Sequence, residues 1–336
     1  MVKKSITMKD IAEKLNVSIV TVSKALSDKE GVSDELKEKI KALASQMGYR
    51  YNMLAKSMKE GLSYNIGIVV PDRFIGKQQS FYLKFQRHIT QALENYGYYG
   101  ILQILSPEDE EALALPRFYS EKRVDGMIIL GQITKDYIET LQTTEIPIVF
   151  LDFYDEHSSI DSVITDSFYA AYELTNYVIK KGHKNIAFVG NIYATSSIQD
   201  RFLGYYKSLI EHHLDIAPVF INDRDAQGVF IDIELPDPLP DAFVCNCDEV
   251  AYNLILKLQK LGYKIPDDVS VVGFDNDIYA TLSQPQLTTV EVDMQEMARV
   301  AIKILINKIS RSPKEYGRLL VKARLVIRDS VKCKYS

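Results

Sequence analysis

The 336-residue chain has no tryptophan, only three cysteines and only five histidines. Three cysteines in a chain of this length do not make a disulfide framework, so we expect a cytoplasmic protein. No apolar run approaches the roughly 20 residues that a membrane-spanning helix needs, so no membrane partner is expected. The first ten residues contain lysines with no apolar core after them, which is not the pattern of a secretory signal.

The sequence also lacks the short motifs of common enzyme classes. It has no glycine-rich dinucleotide-binding turn, no phosphate-binding loop and no Gly-x-Ser-x-Gly elbow. His212 and His213 are adjacent, and adjacent residues on a helix point in different directions, so they are poor partners for one metal ion. Cys245 and Cys247 share one face of a predicted strand, and we interpret them as core. We therefore expect neither an enzyme nor a bound metal or cofactor.

The charge is distributed unevenly along an otherwise ordinary globular composition, which is 46% hydrophobic and 25% charged. Residues 1–62 contain 12 basic and eight acidic side chains, a net charge of +4, whereas the whole chain carries −5. A small basic head on an acidic body is expected when only the head meets a polyanion. The alternative is a solvated, lysine-rich helical surface.

The basic head is predicted to form three short helices. The first begins after Thr7, which has an acid three residues later, as in a capping box. Ser18 is a good N-cap for a second helix over Ile19–Leu26. Ser33 begins a third helix that Gly48 ends. Two helices joined by a tight turn and braced by a third are the helix-turn-helix plan.

The outer face of the second helix carries residue types that suit DNA. Ile19 and Val20 are apolar and outward-facing near its start, where they could contact thymine methyl groups, and Lys24 could reach a guanine edge. The alternative is that Ile19 and Val20 belong to the head's own core. Hydroxyls suit phosphate oxygens, and the polar residues of this face are Ser18, Thr21, Ser23, Lys24 and Ser27.

Residues 7–26 resemble the N-terminal signature of the lactose-repressor (LacI/GalR) family. The match continues through residues 32–33 and 47–49 and, in the linker, at Asn52, Ala55, Ser57 and Met58. The resemblance implies a DNA-binding head over residues 1–50 and a hinge helix over residues 51–62. The hinge helix would order on operator DNA, pair with its dimer mate and insert a side chain into the minor groove. Together, the chemistry of α2 and the family resemblance predict a set of DNA-contacting residues. They are Thr7, Ser18, Ile19, Val20, Thr21, Ser23, Lys24, Ser27, Tyr49, Asn52, Ala55 and Met58.

The hinge departs from the family pattern at two positions. Met58 stands where a leucine is usual, and Tyr51 stands where the family usually has proline. Methionine fills the wedge role less rigidly. A residue other than proline leaves the unbound hinge more conformational entropy, worth about 0.4–1 kcal/mol. Both changes bear on how strongly the operator is bent, and a plain flexible tether is the alternative to a hinge helix.

From Asn65 onward, short apolar runs alternate with amphipathic helices, a pattern typical of parallel sheets covered by helices. By resemblance the fold is α/β, with a two-lobed, periplasmic-binding-protein-like (type I) effector domain of parallel sheets preceded by the all-α helix-turn-helix head. We expect one lobe over residues 63–163 and 291–320, and the other over residues 164–290 and 321–336. The chain would cross between the lobes near Val163, Glu291 and Leu320.

Ligands of such sheets lie beyond the carboxyl ends of the strands. Arg201 and Asp275 match the family's effector-binding pair, which can bind vicinal hydroxyls, and Tyr82 matches an aromatic contact position. Asp152 and Asp275 could instead cap helices or close loops. Cys247 replaces a polar residue of sugar-binding members, which weakens the assignment of a particular sugar. The predicted effector-binding residues are Asp72, Phe81, Tyr82, Asp152, Ser197, Arg201, Cys247 and Asp275.

The sequence therefore predicts a homodimeric regulator that binds double-stranded operator DNA and responds to a small molecule, with a sugar favoured. A sugar phosphate, a nucleobase or a partner protein acting as corepressor stays open, as does the direction of the response. A sugar-binding protein without a regulatory role is a further alternative, which the helix-turn-helix head disfavours. Dimers of this kind read near-palindromic sites.

Overall fold

The computed structural model describes residues 6–49, 53–75, 80–215, 220–225, 228–310 and 314–335. The chain divides into two compact units, Met1–Leu62 and Ser63–Ser336, which are described separately below. None of the described helices combines the length and the apolar character that a bilayer span demands.

The first unit consists of helices packed around a small core. The helices are α1 (Met8–Leu15), α2 (Ile19–Leu26), α3 (Asp34–Gln46) and α4 (Met53–Glu60). The first three helices bury a shared apolar cluster through residues spaced at helical intervals. The buried members of that cluster are Ile11, Ala12, Val22, Ala25, Ile40 and Ala44.

Local capping fixes the ends of these helices. Thr7 and Asp10 form the predicted capping box at the start of α1, and Ser18 caps α2 by accepting a hydrogen bond from the amide of Thr21. Asn16 adopts the left-handed conformation, with φ of 52°, which permits the tight turn between α1 and α2. Ser33 precedes α3 as predicted, but its side chain makes no capping hydrogen bond.

The second unit begins with a run of alternating strands and helices. In chain order its elements are β1 (Asn65–Pro71), α5 (Ser80–Glu94), β2 (Tyr99–Leu105), α6 (Pro107–Glu111), α7 (Arg117–Ser120), β3 (Gly126–Leu130), α8 (Lys135–Gln142), β4 (Ile148–Leu151) and β5 (Asp161–Thr165). A one-turn 3-10 helix, Asp72–Phe74, follows β1.

The same alternation continues to the end of the unit. Its elements are α9 (Ser167–Lys180), β6 (Ile186–Val189), α10 (Ser196–Glu211), β7 (Phe220–Ile221), β8 (Ala242–Cys245), α11 (Asp248–Lys260), β9 (Ser270–Val272), α12 (Ile278–Leu282), β10 (Thr289–Glu291), α13 (Met294–Ile309), β11 (Arg318–Val321) and β12 (Arg324–Val326).

These strands build two lobes. Within the described residues the first lobe holds a parallel sheet in the order β2-β1-β3-β4-β5-β11, and the second holds a parallel sheet in the order β7-β6-β8-β9. Strands β10 and β12 form an antiparallel pair, which bridges join to the β9 side of the second lobe. Helix α13 packs on α5, β3, β4 and β5 of the first lobe. The predicted two-lobed α/β fold with parallel sheets is confirmed.

The chain passes between the lobes after β5, between β10 and α13, and between β11 and β12. Val163 and Leu320, near which the sequence predicts two of the crossings, lie inside β5 and β11. Those two strands pair with each other in the first lobe, so the crossings follow them. Glu291 is the last residue of β10.

Candidate functional site

Helix α2 presents an apolar surface that the head's core does not use. Ile19 and Val20 are 48% and 64% exposed, whereas Val22 and Ala25 on the opposite side are fully buried. The alternative prediction, that Ile19 and Val20 form part of the head's own core, is therefore wrong. Two exposed aliphatic side chains at the start of a helix are available for an apolar contact.

The polar residues around α2 differ in their hydrogen bonds and in their exposure. The hydroxyls of Ser18 and Thr21 lie 2.8 Å apart, and the Thr7 hydroxyl donates to Asp10 over 2.8 Å. Lys24 is exposed, and Ser23 and Ser27 are half-buried.

The residues predicted to contact DNA outside α2 differ in their positions and exposure. Tyr49 is half-buried against the head's core. Asn52 lies outside the described residues, and Ala55 lies within α4. Met58 is 87% exposed on α4.

Helix α4, Met53–Glu60, lies within the segment that the sequence assigns to the hinge. An isolated helix of this length is marginal in water. The end of α4 is closed by the amide of Gly61, which donates to the carbonyl of Ser57 over 2.8 Å. Gly61 has a φ of 69°, the left-handed conformation that ends helices.

In the second unit, a cavity of about 670 Å³, part of it open to solvent, lies between the two lobes at the carboxyl ends of their strands. Aromatic rings come chiefly from the first lobe, and charged side chains come chiefly from the second. The lining residues are Phe74, Phe81, Tyr82, Asp152, Thr195, Ser197, Ile198, Arg201, Arg224, Phe230, Asn246, Cys247, Asp248, Glu249, Asp275 and Asp277.

The structure brings together at this cavity every predicted effector residue except Asp72. Asp72 lies in the 3-10 helix and is exposed, because the chain turns sharply after Pro71. Phe74, two residues further on, lines the cavity in its place. The carboxyl end of β1 therefore contributes an aromatic wall instead of a carboxylate.

Arg201, on α10, is 5% exposed and held in one orientation by three contacts. Its Nη1 donates to the backbone carbonyl of Asn246 over 2.6 Å, and its Nη2 lies 3.3 Å from Oδ1 of Asp275. Its guanidinium lies over the ring of Phe274. Because contacts within the protein orient the pair, a ligand that meets it pays little ordering entropy.

A second guanidinium, that of Arg224, lies in the same wall. It donates twice to Asp223, over 2.9 and 2.7 Å, and stacks on the ring of Phe230 at 4.7 Å. The Asn246 amide joins this group to the strands by donating to Asp223 and to the carbonyl of Val189. Charge-assisted pairs of this kind hold the wall rigid.

Tyr82 faces the carboxylate of Asp152 from the first helix turn of α5. Its hydroxyl donates to Oδ2 of Asp152 over 2.9 Å. Burial raises the pKa of Asp152 to about 6, although Arg201 and the Tyr82 hydrogen bond favour the charged form. Burial likewise raises the pKa of Tyr82, so its hydroxyl stays a donor at neutral pH.

Asp248 organises the floor of the cavity and has all its oxygens occupied by the protein. It accepts from the hydroxyl of Thr289 over 2.6 Å and from the amide of Asp277 over 2.8 Å. A Cβ on Gly273 would lie 2.1 Å from Oδ1 of Asp248, so only glycine allows this close approach. Burial raises the pKa of Asp248.

Polar contacts also join the two lobes beside the cavity. Lys84 of α5 pairs with Asp277 after β9. The hydroxyl of Tyr154, after β4, donates to Asp200 of α10 over 3.1 Å. These contacts join the two lobes.

Two carboxylates of the cavity lie on unusual backbone. Asp152, directly after β4, has a φ of 67°, and Asp275, a few residues after the end of β9, has a φ of 106°. Backbone in this region is uncommon outside glycine, asparagine and aspartate, and it concentrates at functional sites. Burial raises the pKa of Asp275 to about 7 despite the opposing effect of Arg201.

Several lining residues escaped the sequence prediction. Asn246 and Glu249 lie close to the predicted Cys247, just after the end of β8. Their position after a strand could therefore have identified them as cavity residues. Arg224 and Phe230 lie in an irregular segment after β7 that has no periodic pattern. Among the described residues, no group of three or more histidine, cysteine, aspartate or glutamate side chains is arranged to hold a metal ion.

The helical head has the plan of a DNA-binding unit. The two α/β lobes, with a cavity between them, have the plan of a binding protein. Residues 7–52 match the model of bacterial regulatory proteins of the lacI family, and residues 175–331 match that of the periplasmic binding protein-like domain. The HTH-type transcriptional regulator RegA of Clostridium saccharobutylicum is 30% identical over 96% of this chain and 98% of its own length. The chain belongs to the lacI family of bacterial regulatory proteins.

Two further comparisons agree with this assignment. The probable HTH-type transcriptional repressor ExuR of Bacillus subtilis is 29% identical over 97% of this chain and 98% of its own. The crystal structure of the lac repressor dimer, bound to operator and the anti-inducer ONPF, superposes with a TM-score of 0.75 at 22% identity. It covers 98% of this chain and 100% of that one. The predicted family and fold are confirmed.

Proposed function

We propose that this protein is a homodimeric, cytoplasmic repressor that binds operator DNA through α2 and α4 and is controlled by a sugar bound between its lobes. The observation that carries the proposal is the Arg201–Asp275 pair in the cavity between the lobes, together with an exposed α2 surface in the same chain. A binding protein without a regulatory role would need no such head.

The proposed DNA contacts follow from exposure and chemistry. Ile19 and Val20 would meet thymine methyl groups in the major groove, and Lys24 would reach a guanine edge or a phosphate. Met58, which is 87% exposed, would enter the minor groove and partly unstack a base step. Ser18 caps α2 and is hydrogen-bonded to Thr21, so these two residues would contribute through the helix N-terminus.

The proposed sugar contacts follow from the cavity wall. Arg201 and Asp275 together offer donors and acceptors for neighbouring hydroxyls. Phe81 and Tyr82 offer aromatic surface for the apolar face of a ring. Binding would change the balance between lobe arrangements and so the spacing of the two heads in a dimer, a coupling typically of 1–3 kcal/mol.

The dimer part of the proposal is supported by the lac repressor structure, which is described as a dimer on its operator. A two-fold symmetric dimer reads two half-sites, so the operator should be nearly palindromic.

Selection of the purified full chain on a pool of random DNA duplexes, at fixed salt, tests the proposal. We expect enrichment of a near-palindromic motif, and loss of that enrichment in a Val20→Ala, Lys24→Ala double variant. Repeating the selection with a mixture of sugars separates an inducer, which lowers the enrichment, from a corepressor, which raises it. A chain that enriches no motif with or without the mixture would contradict the proposal.

A further inference from the structure

A second cavity, of about 1120 Å³ and partly open to solvent, lies where the chain crosses between the lobes. The crossing between β10 and α13 lines it with Val292 and Asp293, and the crossing between β11 and β12 lines it with Lys322 and Ala323. Lys84 of α5 lines it from the first lobe. We call this cavity the crossing groove. A ligand in it would contact two of the connections between the lobes.

The acidic side chains of the crossing groove already have partners within the protein. Asp275 is paired with a guanidinium of the proposed effector cavity, and Glu291 is paired with Arg324. Asp293 caps α13 by accepting a hydrogen bond from the amide of Glu296 over 2.9 Å. The positive end of that helix also favours the charge of Asp293. The groove therefore has little need of a cation.

The polar groups of the groove that lack partners are mainly donors. Lys322 makes no hydrogen bond or ion pair within the part of the chain that the structure describes. Arg324 pairs with Glu291 through its Nε, and its two Nη groups have no partner among the same residues. Water meets such exposed donors in the free protein, and an oxyanion would meet them with charge-assisted hydrogen bonds.

Lys84 connects the crossing groove to the proposed effector cavity. Its side chain lines the groove, whereas its ammonium group pairs with Asp277, which lines the effector cavity from the second lobe. The Lys84 side chain is 45% exposed, so an anion in the groove can reach it, and Asp277 is 8% exposed. Such an anion would compete with Asp277 for the ammonium group. Because this ion pair joins the two lobes, the competition would weaken one of their contacts.

We propose that the crossing groove is a second ligand site, which binds an oxyanion of a small metabolite through Lys322, Arg324 and Lys84 and weakens the Lys84–Asp277 contact between the lobes. The site goes beyond the proposed function, because it involves neither the DNA-binding head nor the ligand of the effector cavity. A phosphate ester and a carboxylate offer the same charge-assisted contacts. Exposed ion pairs are weak, so we expect a Kd of about 1 mM.

Thermal unfolding of the full chain at constant ionic strength tests the binding. The probes are inorganic phosphate, glycerol 3-phosphate and citrate, and glycerol is the uncharged control. At a probe concentration of about ten times Kd, we expect the Tm to rise by about 3–5 °C with at least one anion and to stay unchanged with glycerol. A shift with the phosphates alone identifies a phosphate ester, and a shift with citrate alone identifies a carboxylate. No shift with any anion would overturn the proposal.

Variants of Lys322 show whether the probe binds in the groove. Lys322→Gln should weaken probe binding by about three- to tenfold, whereas Lys322→Arg should retain it. Lys135→Gln is the matched control, because Lys135 is an exposed lysine of α8 outside the groove. These side chains are exposed, so each variant should fold as the wild type does. A wild-type shift in Lys322→Gln would mean that the anion binds elsewhere, and it would overturn the proposal.

Operator titrations with and without the stabilising probe, at constant ionic strength, test the connection to the lobes. The probe should change the operator affinity of the wild type by about fivefold or more, a typical size for coupling between sites. Lys84→Gln lacks the contact with Asp277, so its operator affinity should respond less. Lys322→Gln corrects for anions that act on the head directly. An equal response in the wild type and Lys84→Gln, or none in either, would overturn the proposed coupling.

The outcomes separate this proposal from the proposed function. A chain that binds the probe through Lys322 but enriches no operator motif would count against the proposed function and leave the groove site intact. A chain that binds its operator and responds to a sugar, but shows no shift with any anion, would overturn the groove site alone.

Discussion

The guanidinium carbon of Arg201 lies 3.9 Å from the centre of the Phe274 ring, immediately before Asp275 in the chain. The ring is buried, so the stack and the ion pair with Asp275 fix the guanidinium at the cavity wall. A cation stacked on an aromatic face in a desolvated setting gains about 2 kcal/mol. The residue therefore contributes to the stability of the second lobe as well as to the proposed ligand contact.

Arg201→Ala should lower the free energy of unfolding by about 3–5 kcal/mol at pH 8, because it leaves Asp275 as an uncompensated buried charge. The pKa of Asp275 is raised to about 7, so the carboxyl is protonated at pH 5.5 and needs no counter-charge there. The destabilisation should then be clearly smaller at pH 5.5 than at pH 8. Urea unfolding of the wild type and the variant at the two pH values measures this loss of stability. An equal loss of unfolding free energy at both pH values would show that the charge of Asp275 is not involved.

A matched pair of valines on α2 separates DNA contact from head stability. Val20→Ala should leave the stability of the head within about 0.5 kcal/mol, because the side chain is mostly exposed, but should weaken operator binding by roughly 1 kcal/mol. Val22→Ala, at a fully buried position, should cost about 2 kcal/mol of stability. Urea unfolding and operator titration of both variants measure the two effects. Unchanged operator affinity in Val20→Ala would remove α2 from the proposed contact surface.

Lys24→Ala distinguishes two roles for this exposed lysine. If Lys24 contacts a phosphate, its loss should weaken binding to all sequences alike and reduce the slope of log K against log salt by about one. If it reads a guanine, its loss should instead relax the base preference at one operator position. Titrations at several salt concentrations, on the selected operator and on single-base variants of it, separate the outcomes. No change in either would mean that Lys24 is solvated in the complex.

Met58 offers a test of operator bending. Met58→Ala should lower operator affinity and reduce the bend, because a methyl group cannot fill an opened base step, whereas Met58→Leu should preserve both. The side chain is 87% exposed, so neither variant should change the free energy of unfolding by more than about 0.5 kcal/mol. Fluorescence energy transfer between the ends of a labelled duplex reports the bend. An unaltered bend in Met58→Ala would assign the wedge role elsewhere.

The sequence predicted the head well because its helices are delimited by local signals. Helix α2 runs over Ile19–Leu26 as predicted, since Ser18 caps it and the apolar residues recur at helical spacing. The strands Gly126–Leu130, Ile148–Leu151 and Ala242–Cys245 also agree with the prediction, because each is a short apolar run buried on both faces.

Strand β5 was not predicted, because its stability depends on distant parts of the chain. It begins at Asp161, a residue type that strands disfavour. Asp161 is nevertheless fully buried, because it accepts the amides of Tyr316 and Gly317, each over 2.8 Å, and pairs with Lys308 at 2.5 Å. These partners lie about 150 residues away along the chain, which no local pattern reveals.

The cavity was predictable only where it follows regular strands. Asp152, Cys247 and Asp275 come directly after apolar runs, so the rule that ligands lie beyond the carboxyl ends of strands found them. Arg224 and Phe230 reach the same cavity from an irregular segment, where only tertiary packing decides which side chains turn inward. The same rule also selected Asp72, but the turn of the chain after β1 leaves this residue exposed and outside the cavity.

The left-handed backbone at Asp152 and Asp275 limits how this binding site can change during evolution or redesign. Those two positions accept aspartate, asparagine or glycine readily and other residues only with strain. Cys247 and Glu249 flank the start of a regular helix, where almost any side chain fits the backbone. New ligand preferences should therefore arise by substitution at residues 247 and 249. Residues 152 and 275 should stay the same as the ligand preference changes.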